Sequence, residues 1–205
     1  SSCLNKISVL HINKGSEKCV VYITECQPFT TSQKNNVIML YEKYKCPIII
    51  GSLSSKRRLN GKQFHFSDNL IKSQLELIAM FNKETIPAYF LLEKWDLTEI
   101  FEYCRPKYEP ITLITDVGKK SEFAIQLYFE DEVMNKRINV ENEFNIGELE
   151  NQTKFQAFRS IEDKDFSTFN MYADKSILGL FDNMVTEYKT WSGELINQFK
   201  QNEFI

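Results

Sequence analysis

Apolar residues fall into two patterns that alternate along the first two thirds of the chain. Between Lys18 and Glu25 the run KCVVYITE is short, continuous and β-branched, as in a strand covered on both faces. After the polar turn QPFTTSQKN, the residues Val37, Ile38, Tyr41 and Tyr44 recur at helical spacing and predict a helix over 33–45 with one buried stripe. CPIIIGSL then repeats the strand pattern, bounded by Pro and Gly. Strand, helix and strand in that order predict parallel pairing through a crossover helix.

The alternation continues. A polar, basic stretch, SSKRRLNGKQFHF, ends at Ser67, a good cap for a helix carrying Ile71, Leu75, Ile78 and Phe81 on one face. TIPAYFLLEKW reads as a strand, DLTEIFEYC as a short helix, EPITLITDVG as a strand, 121–129 as a helix and KRINVE as a fifth strand. The expected fold is α/β: a Rossmann-like, doubly wound, parallel five-stranded sheet with a helical C-terminal part. In that part Phe155, Phe158 and Ile161 make one short apolar face. Asp174 caps a helix with the stripe Ile177, Phe181, Met184, Tyr188 and Trp191, and Ser192 opens a final helix through Leu195, Ile196 and Phe199. Ile7, Val9 and His11 suggest an extra edge strand. The expected division is an N-terminal extension over 1–17, an α/β domain over 18–148, and helices over 149–205 packed on that same domain.

Composition narrows the chemistry. Among 205 residues there are 2 His and 7 Gly, too few for a multi-histidine metal centre and leaving little for a glycine-rich phosphate loop. Lys+Arg number 25 against 28 Asp+Glu, so no global field recruits nucleic acid or an anionic membrane, and any such binding needs a local patch. No stretch approaches the ~20 apolar residues of a membrane span, and the opening SSCLNKISVLHINKG lacks the apolar core of a signal peptide. Five cysteines without CxxC spacing, Cys3, Cys19, Cys26, Cys46 and Cys104, read as free thiols in a reducing compartment, which points to the cytoplasm.

In open parallel sheets, ligands sit beyond the carboxyl ends of the strands where the winding reverses. The loop over 27–33 should lie there and feeds a helix N-terminus, whose free N–H groups suit a phosphate. At this point the residue order resembles a known superfamily. VVYITECQPFTTSQKNNVIMLYEKY is similar to the first strand, loop and helix of the HIGH-type nucleotidyltransferases, which include nicotinamide-nucleotide and pantetheine-phosphate adenylyltransferases and cytidylyltransferases. Against their pattern G-R-F-x-P-x-H/T-x-G-H, Pro28 and Phe29 match the proline and its neighbour. Thr30 stands at the first histidine, Ser32 at the glycine and Gln33 at the second histidine. ENQTKFQAFRSIEDKDFSTFNMY resembles the I-S-S/G-T-K-M-R helix and the following G-D-F-x-x-F turn. Thr153 and Lys154 stand at its Thr-Lys pair, Gln156 at its arginine, and Asp165, Phe166 and Phe169 in the turn. RLNGKQFHFSDNLIKSQLELIAMF resembles the segment after the second strand, and TDVGKKSEF the V-G-S-D turn with its acidic residue missing.

The resemblance implies a nucleotide site in which Gln33 and Lys154 hold the catalytic positions. Thr30, Lys34, Thr153, Gln156, Arg57 and Arg58 would contact the nucleotide. Transfer from ATP or CTP would use Mg²⁺ on the phosphates. The family's histidines and arginine stabilise charge on the α-phosphate, and all of these positions are replaced here. Three functions follow as expectations. The first is a diverged, catalytically impaired member serving as a binding, structural or assembly component, with a protein partner or second copy; a phage or virion role is one version. The second is an active enzyme joining an NTP to a phosphorylated small molecule. The third is a nucleic-acid-binding module using Lys56, Arg57, Arg58 and Lys62, a run that would otherwise be a solvated loop. His65 is expected to pack beside Phe64 and Phe66, and Cys26 is the one thiol expected near the cleft.

Overall fold

The computed structural model describes residues 17–55, 63–93, 97–117, 130–141 and 148–203. Its elements in chain order are β1 (Glu17–Thr24), α1 (Thr31–Tyr44), β2 (Ile48–Leu53), α2 (Asp68–Phe81), β3 (Ala88–Leu92), α3 (Thr98–Cys104), β4 (Tyr108–Thr115), α4 (Glu130–Met134), β5 (Ile138–Val140), α5 (Glu148–Glu162), α6 (Phe166–Tyr172), a 3₁₀ helix (Lys175–Leu180) and α7 (Phe181–Glu203).

The five strands form one parallel sheet in the order β3-β2-β1-β4-β5. This is the Rossmann-like α/β architecture expected, with a helical C-terminal part. The winding leaves β1 toward β2 and β3 on one side and resumes with β4 and β5 on the other, so the reversal lies between β1 and β4. The central strands β1 and β2 are buried along almost their whole length, which is why they read as unbroken apolar runs.

Two apolar layers sandwich the sheet. Val20, Tyr22, Ile48 and Ile50 face α1, α2 and the C-terminal helices, whose Ile161, Phe169, Ile177, Phe181 and Met184 join the same core. Val21, Ile23, Ile49 and Leu113 face α3, through Ile100 and Cys104. Gly51 permits the closest approach on that side: a Cβ there would stand 3.3 Å from Leu92 Cδ1 and 3.4 Å from Ile100 Cδ1.

Several helix faces differ from the apolar count. In α1 the buried face is Gln33, Asn36, Val37 and Leu40, while Ile38 and Tyr41 are 44% and 41% exposed. Two polar side chains occupy core positions because their hydrogen bonds are made internally, which turns the stripe away from the one hydropathy suggests. Phe81 ends α2 and is exposed, and Phe155 is exposed because it lies two residues, or about 200° of helix, from buried Ala157. Asp174 caps the 3₁₀ helix, which runs directly into α7. Ser192 does not start a helix: α7 continues through it and Gly193 without a break. The suggested edge strand around Val9 and the helix over 121–129 lie outside the described residues. Ser67 caps α2 as expected, with Leu70 N–H donating to its Oγ at 3.2 Å.

Candidate functional site

The loop joining β1 to α1 is held by three glutamines. Gln74 of α2 takes the Phe29 N–H on Oε1 (3.0 Å) and donates through Nε2 to the Cys26 carbonyl (2.9 Å). Gln27 Oε1 accepts the Phe66 N–H at 2.9 Å, which ties the loop to the chain entering α2. Gln33 closes the other side. Its Oε1 accepts the Thr30 N–H at 2.8 Å and the Thr30 hydroxyl at 3.2 Å, while Thr30 Oγ1 takes the Gln33 N–H. That reciprocal pair is a capping box for α1. The Gln33 amide nitrogen donates to Thr24 Oγ1 at 2.6 Å and to the Glu25 carbonyl at 2.7 Å. A carboxamide has two donor hydrogens and two acceptor lone pairs. All four are committed inside the protein.

Beyond Thr24 the network continues, buried, to the carboxyl ends of β1 and β4, the crevice position of an open parallel sheet. Thr24 donates to Asp116 Oδ2 at 3.1 Å, and the Tyr22 hydroxyl donates to the same oxygen. Asn36 donates to the Tyr22 hydroxyl at 3.2 Å and also hydrogen-bonds Glu150 of α5. Asp116 follows the last residue of β4 and is 3% exposed. Its Oδ1 has no hydrogen-bond partner among the described residues. Burial pushes the Asp116 carboxyl above the usual aspartate range, against the opposing pull of Lys154 and of the Tyr22 and Thr24 hydroxyls. Glu150 is raised as well, by burial first and by the nearby Asp116 second. The Cys26 thiol is pushed up to about 12 by burial, so it is an un-ionised core group at neutral pH.

The sequence-predicted residues separate into groups. Thr30 and Gln33 meet at the start of α1, both buried. Thr153 and Lys154 sit on α5, with Lys154 close enough to Asp116, Glu150 and Cys26 to act on the charge of each. Lys154 makes no ion pair or hydrogen bond among the described residues. Lys34 instead reaches sideways to the Asn82 side chain at the end of α2. Burial lowers its ammonium pKa, with Asp174 opposing. Gln156 is half-buried on α5 and takes no part in the hydrogen-bond network of the crevice. Arg57 and Arg58, with Lys56 and Lys62, lie outside the described residues. His65 is half-buried beside Phe64, whose ring meets Phe66 edge-on at 5.2 Å.

Asp116, Thr24, Asn36 and Glu150 were not singled out from the sequence. A signal for Asp116 was present: a carboxylate directly after the apolar run PITLIT, at the carboxyl end of a strand beside the reversal. A cavity of about 830 Å³ lies along the edge strand β3 and α2 among the exposed Lys72, Glu76, Tyr89 and Glu99. It shares no lining residue with this network, and its charged lining residues are exposed among the described residues.

No protein-family model matches the chain, and no curated protein matches it. A solved structure does resemble it. That structure is a bifunctional NMN adenylyltransferase/ADP ribose pyrophosphatase from Francisella tularensis, 14% identical, with a TM-score of 0.49. The alignment covers 92% of this chain and 56% of that one, so the present chain spans little more than half of its neighbour's length. Among the described residues no helix is long and apolar enough to cross a membrane.

Proposed function

We propose that the chain is a diverged nucleotidyltransferase-like protein, with residues 149–205 part of the same domain as 18–148. In this reading it holds the phosphates of a nucleotide at the crevice between β1 and β4 but transfers them poorly, and it serves as a binding or assembly component. The observation that carries the reading is the hydrogen bonding of Gln33. Transfer at an α-phosphate needs donors aimed at the oxygens where charge develops. At the position of the family's second histidine, both donor hydrogens are spent on Thr24 and Glu25. A ligand could recruit them only by breaking buried bonds. Loss of one such donor costs a few kcal/mol of transition-state stabilisation.

Lys154 supports the binding half of the reading, as a cation close enough to Asp116 and Glu150 to act on their charge and without an ion pair or hydrogen bond among the described residues. Mg²⁺ would arrive on the triphosphate, and hard carboxylate oxygens suit it. Half-buried Glu150 is the accessible carboxylate that would meet it or its waters, with the buried Asp116 behind it. These residues would orient the phosphates while Lys154 neutralises them.

The test is thermal unfolding with ATP and with CTP, each with Mg²⁺, combined with an assay for released pyrophosphate over a set of phosphorylated acceptors. A raised melting temperature without turnover is expected. Turnover at ordinary enzymatic rates would overturn the impairment, and an unchanged melting temperature with both nucleotides would overturn the binding.

A further inference from the structure

The sheet ends at β3, which among the described residues pairs only with β2. The Leu92 carbonyl accepts the Ser54 N–H at 2.8 Å, so the Leu92 main chain turns inward to β2. Along a parallel strand that direction alternates from one residue to the next. Ala88 and Phe90 therefore turn inward too, and the N–H and C=O groups of Tyr89 and Leu91 turn outward, where a further strand could pair with them. The opposite edge, β5, has three residues against five in β3.

This outward edge is the floor of a trough. The cavity of about 830 Å³ beside it is lined by the unbroken run of residues 89–93. Side chains of a strand alternate between its two faces, so a run that lines a space without interruption meets it with the strand's edge. One wall of the trough is α2, through Lys72 and Glu76, and the other is α3, through Glu99. The two cores agree with that placement: Leu91 packs on the α2 side of the sheet and Phe90 on the α3 side. At about 3.3 Å per residue β3 is about 17 Å long, the reach of an extended segment of about the same length.

Charge selects the occupant. Three carboxylates, Glu76, Glu93 and Glu99, line the trough against one cation, Lys72. Glu76 and Glu99 are exposed on opposite walls, and neither has an ion pair among the described residues. Successive side chains of an extended peptide point to alternate walls, so two adjacent basic residues reach both carboxylates. A second copy of this edge would instead bring like charges together.

We propose that the free edge of β3 binds an extended, basic segment of another protein by strand addition. The main chain of that segment pairs with Tyr89 and Leu91, and two adjacent Lys or Arg side chains meet Glu76 and Glu99. The surface shares no residue with the network at the ends of β1 and β4, so the proposal does not rest on the nucleotide reading.

Two measurements on the full chain test it. Fluorescence anisotropy follows a labelled peptide, acetyl-Thr-Val-Lys-Arg-Val-Thr-amide, and amide hydrogen exchange reads Tyr89 and Leu91 with and without that peptide. Saturable binding is expected, about tenfold tighter than for the same peptide with Glu-Glu in place of Lys-Arg, and weakening as salt is raised. The Tyr89 and Leu91 amides should slow on binding, while Phe90, whose main chain already faces β2, should not change. Methylating the main-chain nitrogens of both valines should weaken binding about tenfold, since the two lie at odd spacing and one of them faces β3 in either register. Glu76→Lys with Glu99→Lys alters exposed side chains alone and should reverse the preference between the two peptides. Equal affinity for the two peptides, binding of neither, or unchanged exchange at Tyr89 and Leu91 would overturn the proposal. Slow exchange at these amides in dilute protein without peptide would show that the chain covers its own edge, and slowing that grows with protein concentration would place a second copy there; either result overturns it as well.

Discussion

Replacing Gln33 by Ala separates a structural amide from one held ready for a ligand. The side chain is 2% exposed and makes three strong contacts: it accepts the Thr30 N–H at 2.8 Å and donates to Thr24 Oγ1 at 2.6 Å and to the Glu25 carbonyl at 2.7 Å. Alanine keeps the helix propensity and leaves the other half of the capping box, Gln33 N–H to Thr30 Oγ1, in place. At about 1 kcal/mol net for each hydrogen bond removed, the cost is about 3 kcal/mol, and more if the Thr30 N–H is left dry. With a urea m-value of about 2 kcal/mol/M, the unfolding midpoint should fall by about 1.5 M. Gln33→Glu should cost more than Gln33→Ala. It keeps the volume but turns both donors into acceptors, facing the Glu25 carbonyl and a hydroxyl already committed to Asp116. Equilibrium urea unfolding followed by far-ultraviolet circular dichroism measures both. A loss below about 1 kcal/mol for the alanine variant, or a glutamate variant as stable as wild type, would refute the assignment and return Gln33 to the pool of ligand donors.

Other outcomes follow from the same geometry. Asp116 has its folded pKa raised above an ordinary value near 3.8. Its contribution is therefore fully present below that value and is lost as pH rises through the folded pKa, so wild type should lose stability relative to Asp116→Asn across that window. A relative gain, read from paired pH-dependent melts, would mean that Lys154 outweighs burial. Gly51→Ala should destabilise by about 1 kcal/mol, because its new methyl meets Leu92 and Ile100 at 3.3–3.4 Å; an unchanged melting temperature would show that α3 can shift freely. Glu187 accepts both the N–H and the hydroxyl of Ser67, at 2.7 and 2.6 Å. Glu187→Ala should thus cost about 2 kcal/mol and loosen α7 from α2, visible as faster hydrogen exchange at the first turn of α2.

The sheet was legible because its central strands are buried on both faces: KCVVYITE and CPIIIGSL carry almost no polar interruption, and only parallel strands between helix layers read that way. Helix faces were less legible wherever a polar residue was buried. Gln33 and Asn36 in α1, and Gln74 in α2, look solvent-facing by hydropathy, yet each occupies the core because loop or crevice groups satisfy it. Ser192 resembles a cap only in isolation, since α7 continues through it. In the site, residues adjacent in sequence were found and those joined across the sheet were not. Thr30 and Gln33 lie three apart, and Thr153 and Lys154 are neighbours. The Tyr22–Asp116 contact joins residues 94 positions apart through the β1–β4 pairing, and the Asn36–Tyr22 contact, 14 positions apart, through the packing of α1 back on β1.

In the proposed reading Lys154 holds nucleotide phosphates beside a Gln33 whose two amide hydrogens are committed to the fold. Calorimetric titration of wild type and Lys154→Ala with ATP or CTP and Mg²⁺, with pyrophosphate measured in the same cell, is the deciding measurement. Saturable binding without pyrophosphate release is expected, weakened by about 10- to 100-fold in Lys154→Ala for the loss of a charged hydrogen bond. Equal affinity in the two proteins, or steady pyrophosphate release by wild type, would contradict it.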